Sequence, residues 1–325
     1  MRWESRIDRI DGRNDLDGMV GQGAPIIVDG RVIIAARRTS PRLETVSWLL
    51  ALDLEQPSPA SWARVIATSG SARMGGSRSA DAPVLAGGVL YLSTSTGAVA
   101  AVDPWDGLVR WVRRFPVPVR DVATATGPFD VLTPAVVGDR VFTVSPDHSR
   151  ILALDCRSGA LVAEVPTGAD GGLGAPSYLV GDEASGLVLA VGSRVACFSA
   201  SAPQSTRWSF PAADASMDAE VHGRVQFART ADPQAPVVLT ADQSDIVIRD
   251  ARDGKERMRL AGAGNSNAIL VGDQLLAAGT TKLSGWMPSA EAERIIRGRM
   301  AATPTADAAM ALVHLARQIR SGPLA

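Results

Sequence analysis

The stretch AVDPWDGLVRW, residues 101–111, joins an apolar run ending in aspartate to a glycine-bearing turn and then to a tryptophan, and this arrangement recurs along the chain. LLALD (49–53), VAAVD (99–103), ILALD (151–155) and IVIRD (246–250) superpose, with VACFS (195–199) and LSGWM (283–287) as weaker copies. Turns carrying Gly107, Gly159 or Gly254 come next, followed by the extended runs SWARVIA, RWVRRFP, LVAEVP, TRWSFP and ERMRL. Upstream of each copy lies a small apolar run closed by a Gly/Asp turn: APIIVDG (24–30), APVLAGG (82–88), TPAVVGD (133–139), APSYLVGD (175–182) and NAILVGD (267–273). Such runs read as short buried strands entering hairpins. A second strand follows each of them, as RVIIAA, VLYLST, RVFTVS, LVLAVG and QLLAAG. Residues 221–235 are irregular, and VVLTAD (237–242) restores the pattern. A unit of four short antiparallel strands, repeated about every 40 to 50 residues, is the signature of a β-propeller blade.

The spacing A-x-D-x-x-x-G-x-x-x-W, with Ala101, Asp103, Gly107 and Trp111, resembles the tryptophan-docking motif of the pyrroloquinoline-quinone-type (quinoprotein-like) β-propellers, a superfamily that includes the BamB-type outer-membrane assembly lipoproteins. The resemblance covers about residues 1–288. It implies a docking set of Trp3, Trp62, Trp111 and Trp208, the small residues Ala51, Ala101 and Ala153, the aspartates Asp53, Asp103, Asp155 and Asp250, and the glycines Gly107, Gly159 and Gly254. The small residue is expected to leave room for an indole lying flat between neighbouring blades, and the aspartate to accept backbone N–H bonds in its turn. Several copies depart from the motif: Ala163 and Met258 replace the tryptophan, Ile248 the small residue, and Ser199 and Met287 the aspartate.

Six sets of first-to-third strands are present, and the last ends at Trp286 and Met287 without a fourth. RWESRID (2–8) reads as an orphan fourth strand with Trp3 at the docking position, so it is expected to complete the last blade and give a six-bladed, all-β propeller. A fragment of a seven- or eight-bladed ring is the alternative. From Ser289 the periodicity changes from 2 to 3.6, predicting a short C-terminal helical hairpin over 289–325 with its second helix starting near Asp307. The pattern Ala309, Leu312, Ala316, Ile319 is similar to the opening helix of a tetratricopeptide repeat, which implies either a cap or the start of a longer helical array.

Composition narrows the function classes. The net charge is -1 and the pI about 6.3, so no basic field invites nucleic acid. No apolar run approaches the ~20 residues of a membrane-spanning helix. MRWESRIDRIDG lacks the apolar centre of an export signal, which gives a cytoplasmic expectation if Met1 is the true start, whereas the family resemblance implies an extracytoplasmic one.

The quinoprotein branch of the resemblance implies a calcium site of acidic and amide side chains, an aspartate base and a disulfide between adjacent cysteines. Here the cysteines are Cys156 and Cys197, expected as free buried thiols, and the only asparagines are Asn14, Asn265 and Asn267. No catalytic residue, metal or cofactor is therefore expected. His148 in SPDHSR reads as part of a solvated hairpin turn, and His222 and His314 have no nucleophile or carboxylate partner in sequence. GADGGLG (168–174) precedes a strand rather than a helix, so it reads as a linker and not a phosphate cradle.

Surface remains. The longest excursions are 36–46, 69–81 and 119–131, and Arg73, Arg78, Arg120 and Asp121 within them form the candidate partner surface. The reading is a non-catalytic scaffold for protein partners, a module of a longer polypeptide or complex. Its alternatives are a quinone-dependent oxidoreductase, a sugar or small-ligand sensor using the central channel, and a purely structural domain.

Overall fold

The computed structural model describes residues 16, 18–39, 44–55, 60–69, 82–94, 96–115, 133–145, 148–167, 176–211, 221–229, 236–241, 245–262, 266–271, 274–279 and 281–321. The chain divides into two compact units, Met1–Val221 with Ala251–Gly254, and His222–Asp250 with Lys255–Ala325.

The first unit holds four four-stranded sheets, each a meander in chain order. The first is β1 (Val20–Val28), β2 (Arg31–Thr39), β3 (Thr45–Asp53) and β4 (Trp62–Ser69); the second is β5 (Val84–Ala86), β6 (Val89–Thr94), β7 (Ala98–Val102) and β8 (Val109–Arg114). The third is β9 (Ala135–Val137), β10 (Arg140–Val144), β11 (Arg150–Asp155) and β12 (Leu161–Pro166); the fourth is β13 (Tyr178–Asp182), β14 (Leu187–Val191), β15 (Val195–Ser199) and β16 (Ala202–Phe210). All pairings are antiparallel. The second and third strands are apolar on both faces because both faces are covered. β6, β7 and β14 are buried along their whole length, whereas the outer β8 alternates between half-buried and exposed.

Neighbouring sheets stack face to face. Ile33, Leu49 and Ile66 of the first sheet share a core with Leu90, Leu92 and Val102 of the second. Tyr91 and Val99 of the second share one with Val141, Leu152 and Leu154 of the third. Phe142 and Phe198 join the third and fourth sheets edge to face, with centroids 5.7 Å apart. Each such side chain contributes about 2 to 3 kcal/mol by leaving water.

The second unit carries β17 (His222–Ala228), β18 (Val237–Ala241), β19 (Asp245–Asp250) and β20 (Glu256–Ala261) in one sheet. Its other sheet contains β21 (Asn267–Val271), β22 (Gln274–Ala278) and β23 (Leu283–Trp286), three strands among the described residues. The irregularity expected near 221–235 is a register shift between His222 and Gln226. Val237, Leu239 and Ile246 form one core with Ala268, Leu275 and Ala277. The expected fourth strand at 2–8, with Trp3, lies outside the described residues.

Two helices follow, α1 (Ser289–Ala302) and α2 (Ala306–Ser321), packed on each other as a hairpin. Thr305 Oγ1 accepts the Ala308 N–H at 3.2 Å, capping the second helix within the TPTAD turn. Repeated four-stranded meanders followed by a helical hairpin make this a β-propeller protein with a helical tail.

Candidate functional site

The docking positions come together at one end of the first unit. Trp62 Nε1 donates to the Pro104 carbonyl at 3.1 Å, Trp111 Nε1 to Cys156 at 2.9 Å, and Trp208 Nε1 to Ala251 at 2.9 Å. In each case the acceptor is the residue just after the motif aspartate of the next sheet, namely Asp103, Asp155 or Asp250. The indole lies against that sheet's glycine. A Cβ added to Gly107, Gly159 or Gly254 would meet ring atoms of Trp62, Trp111 or Trp208 at 2.6 to 2.7 Å. All three glycines also have positive φ, +71°, +68° and +72°. The glycine is thus a turn residue and an indole seat at once.

Ala51, Ala101 and Cys197 are the cross-strand partners of Trp62, Trp111 and Trp208 within the same sheet. The flat seat between sheets is the glycine, whose backbone allows the closer approach. Ala153 faces Ala163, where the tryptophan is missing.

That missing indole has a replacement. Arg140 sends its guanidinium to the Ala200 carbonyl at 2.6 Å, and Ala200 follows Ser199 as Pro104 follows Asp103. The acceptor that tryptophan serves at the other boundaries is served here by arginine, a feature the motif does not signal.

The aspartates brace their turns. Asp53 Oδ1 accepts the Glu55 N–H at 2.7 Å, and Asp103 Oδ1 that of Trp105 at 2.9 Å. Asp155 Oδ1 takes the Ser158 N–H at 2.8 Å and its hydroxyl at 2.6 Å. The Arg110 guanidinium, and then the Trp105 N–H, hold Asp103 below the usual carboxylate range; the Ser158 hydroxyl and N–H do so for Asp155. Asp250 pairs with Arg257.

The opposite end of the sheets is stitched by hydroxyls. Ser47 and Thr96 meet at 3.2 Å, Thr94 and Thr96 at 2.8 Å, and Thr143 donates to Ser93 at 2.8 Å. The strand ends Thr39, Thr45, Ser69, Val84, Arg114 and Ala135 lie at this end. Arg73, Arg78, Arg120 and Asp121, like GADGGLG, lie outside the described residues.

His148 is half-buried rather than solvated, with φ +58° and Nδ1 at 2.9 Å from the Pro176 carbonyl. His314 is exposed on the second helix. Cys156 and Cys197 are free thiols. Burial pushes the Cys197 thiol up to about 12 and raises that of Cys156. Among the described residues, no group of three His, Cys, Asp or Glu side chains converges to hold a metal ion. Asn267 accepts the Arg224 N–H through its amide oxygen at 2.8 Å. Among the described residues, the donor set does not fit the calcium and quinone site that the quinoprotein resemblance implies.

A family described as outer membrane protein assembly factor BamB matches residues 1–112 and 71–282. Among solved structures, BamB from Moraxella catarrhalis is 13% identical, with 83% of each chain covered and a TM-score of 0.49. A europium-containing methanol dehydrogenase is 15% identical over 74% of this chain and 51% of its own, with a TM-score of 0.51. The chain thus spans about half of that enzyme's length, and the likeness is one of fold. The computationally designed Ika8 protein is 11% identical, with a TM-score of 0.49 over 82% of this chain and 83% of its own. No curated protein matches. No helix among the described residues is long and apolar enough to cross a membrane.

Proposed function

Because the chain belongs to the BamB-type family of quinoprotein-like β-propellers, we propose that it is a non-catalytic scaffold that holds protein partners, in the cell envelope or another multiprotein assembly. The observation that carries this reading is the match to an assembly-factor family over residues 1–112 and 71–282. In this reading residues 1–288 form the propeller module and residues 289–325 a helical tail. In this reading the three excursions 36–46, 69–81 and 119–131, with Arg73, Arg78, Arg120 and Asp121, form the partner surface. Rigid sheets joined by long connections suit recognition of a folded or extended partner.

The propeller fold also serves quinone-dependent dehydrogenases, so the decisive test is ligand-linked stability. A ligand that binds only the native state raises the melting temperature. The purified chain melted with calcium plus pyrroloquinoline quinone is expected to show no saturable rise. A rise requiring both components would overturn the scaffold reading in favour of the oxidoreductase. Chemical cross-linking in lysate is expected to recover a defined protein, and recovery of none would also count against the scaffold.

A further inference from the structure

The turn between β7 and β8 is gripped more completely than docking requires. Its four successive carbonyls each accept a bond from the first sheet: Pro104 from Trp62, Trp105 from Arg31, and Asp106 and Gly107 from Arg64. From inside, Asp103 accepts the Trp105 N–H and Asp106 the Leu108 N–H. On this rigid turn, Trp105 is 59% exposed and Leu108 62%.

Neither side chain is demanded by the fold. The position of Trp105 is Glu55, Arg157, Ser201 and Arg252 in the corresponding turns, and that of Leu108 is Ala160 and Lys255 in those that keep the motif glycine. An exposed indole held in one place loses little conformational entropy on binding, which is the property of an interface anchor. Arg31 stacks its guanidinium 4.2 Å from the Trp105 ring centroid and uses one N–H on the Trp105 carbonyl. Its other N–H groups have no partner among the described residues, whereas Asp53, Asp103, Asp106 and Asp155 spend carboxylate oxygens on their own turns. The local chemistry is therefore an apolar plate beside a cation with donors to spare.

We infer that the Arg31–Trp105 stack is a docking point for an extended segment of a partner protein that presents an apolar side chain next to an aspartate or glutamate carboxylate. The carboxylate takes the guanidinium fork, and the apolar side chain covers the indole. An extended segment places alternate side chains on one face at the required separation. A convex turn encloses too little of a small molecule to hold one. This inference rests on the scaffold reading and gives it a second face, at the β7–β8 turn.

The test uses the full chain labelled with ¹⁵N, the Trp105 indole N–H resonance being assigned with Trp105→Phe. Two acetylated, amidated peptides are titrated, Gly-Leu-Thr-Asp-Thr-Gly, whose leucine and aspartate share one face of the extended chain, and its counterpart with asparagine for aspartate. A saturable shift of the Trp105 resonance is expected. Affinity for the asparagine peptide should be about tenfold weaker, the worth of one charge-assisted bond. Arg31→Gln should abolish that preference while the Trp62, Trp111 and Trp208 indole resonances stay in place, showing an intact fold. No shift at Trp105, equal affinity for both peptides, or an unchanged preference in Arg31→Gln would overturn the inference. A lysate cross-linking pattern identical for wild type and Trp105→Ala would also remove this surface while leaving the scaffold reading intact. Failure of both chains to cross-link any protein would remove the scaffold reading itself.

Discussion

Gly159→Ala separates the two tasks of the motif glycine. At φ +68° an alanine costs about 1 to 2 kcal/mol from backbone strain alone. Its Cβ would also stand 2.6 Å from Trp111 Cε3 and 2.7 Å from Cδ2. The indole must then retreat by roughly 1 Å to restore ordinary contact. That retreat stretches the 2.9 Å bond from Trp111 Nε1 to the Cys156 carbonyl beyond hydrogen-bonding range, a loss of about 1 kcal/mol, and opens a gap where the ring was seated. The total is about 2 to 4 kcal/mol. Gly138, in the β9–β10 turn of the same sheet, is the control: its φ is +62°, but a Cβ there meets nothing within 4 Å. Gly138→Ala should therefore cost only the strain, about 1 to 2 kcal/mol. Denaturant midpoints of both variants read the difference, expected at about 1 to 2 kcal/mol. Trp111→Ala added to Gly159→Ala should be less than additive by about 1 kcal/mol, since both remove one contact. Equal costs at the two glycines, or full additivity, would refute the seat.

Trp62→Ala and Trp208→Ala should each cost about 3 to 5 kcal/mol in the same assay, because both rings are buried; the half-exposed Trp111 should fall at the low end. Arg140→Met keeps the apolar stem but abandons the Ala200 carbonyl, and a denaturant midpoint lowered by about 1 to 2 kcal/mol is expected; no change would show that the arginine does not stand in for the indole. The carboxyls of Asp103 and Asp155 lie below their unfolded values, so their stabilisation is present above about pH 4 and is lost as pH falls through the lowered values. Acid titration of Asp103→Asn should accordingly show a smaller loss of stability below pH 4 than wild type, and an identical acid limb would contradict the bracing role. Thiol titration with an aromatic disulfide at pH 8 should find both cysteines slow in the native chain and two reactive groups in denaturant, whereas an intact mass short by two hydrogens would reveal a disulfide.

The fold was legible because the propeller repeats one local problem. Each sheet needs two fully apolar middle strands and a tight turn, and VAAVD, ILALD and IVIRD spell that solution in one-dimensional form. The partners of the motif were not legible, because they lie in the next sheet. Nothing local to Gly159 says that an indole from position 111 will rest on it. Arg140 is likewise invisible: an arginine opening a strand reads as surface until Ala163 and the Ala200 carbonyl are seen beside it. His148 reads as a solvated turn residue for the same reason, since the Pro176 carbonyl that holds it is 28 positions away.

Once the two halves of a dock are known to sit in consecutive sheets, the degenerate copies become intelligible. Ala163 gives no indole, and the next sheet has Ser199 and Pro203 where the motif has aspartate and glycine. Met258 gives none either, and Met287 follows at the next aspartate position. Where an indole is present, at Trp62, Trp111 and Trp208, the next sheet keeps both Asp and Gly. In these repeats the two halves occur together or not at all. The same rule bears on Trp3. After Asp53 the sequence has Pro57 at the offset where the motif has glycine, so the first repeat lacks the glycine half of the pattern. Tryptophan at the docking offset is therefore not sufficient to infer a dock; the glycine of the following repeat must be read with it.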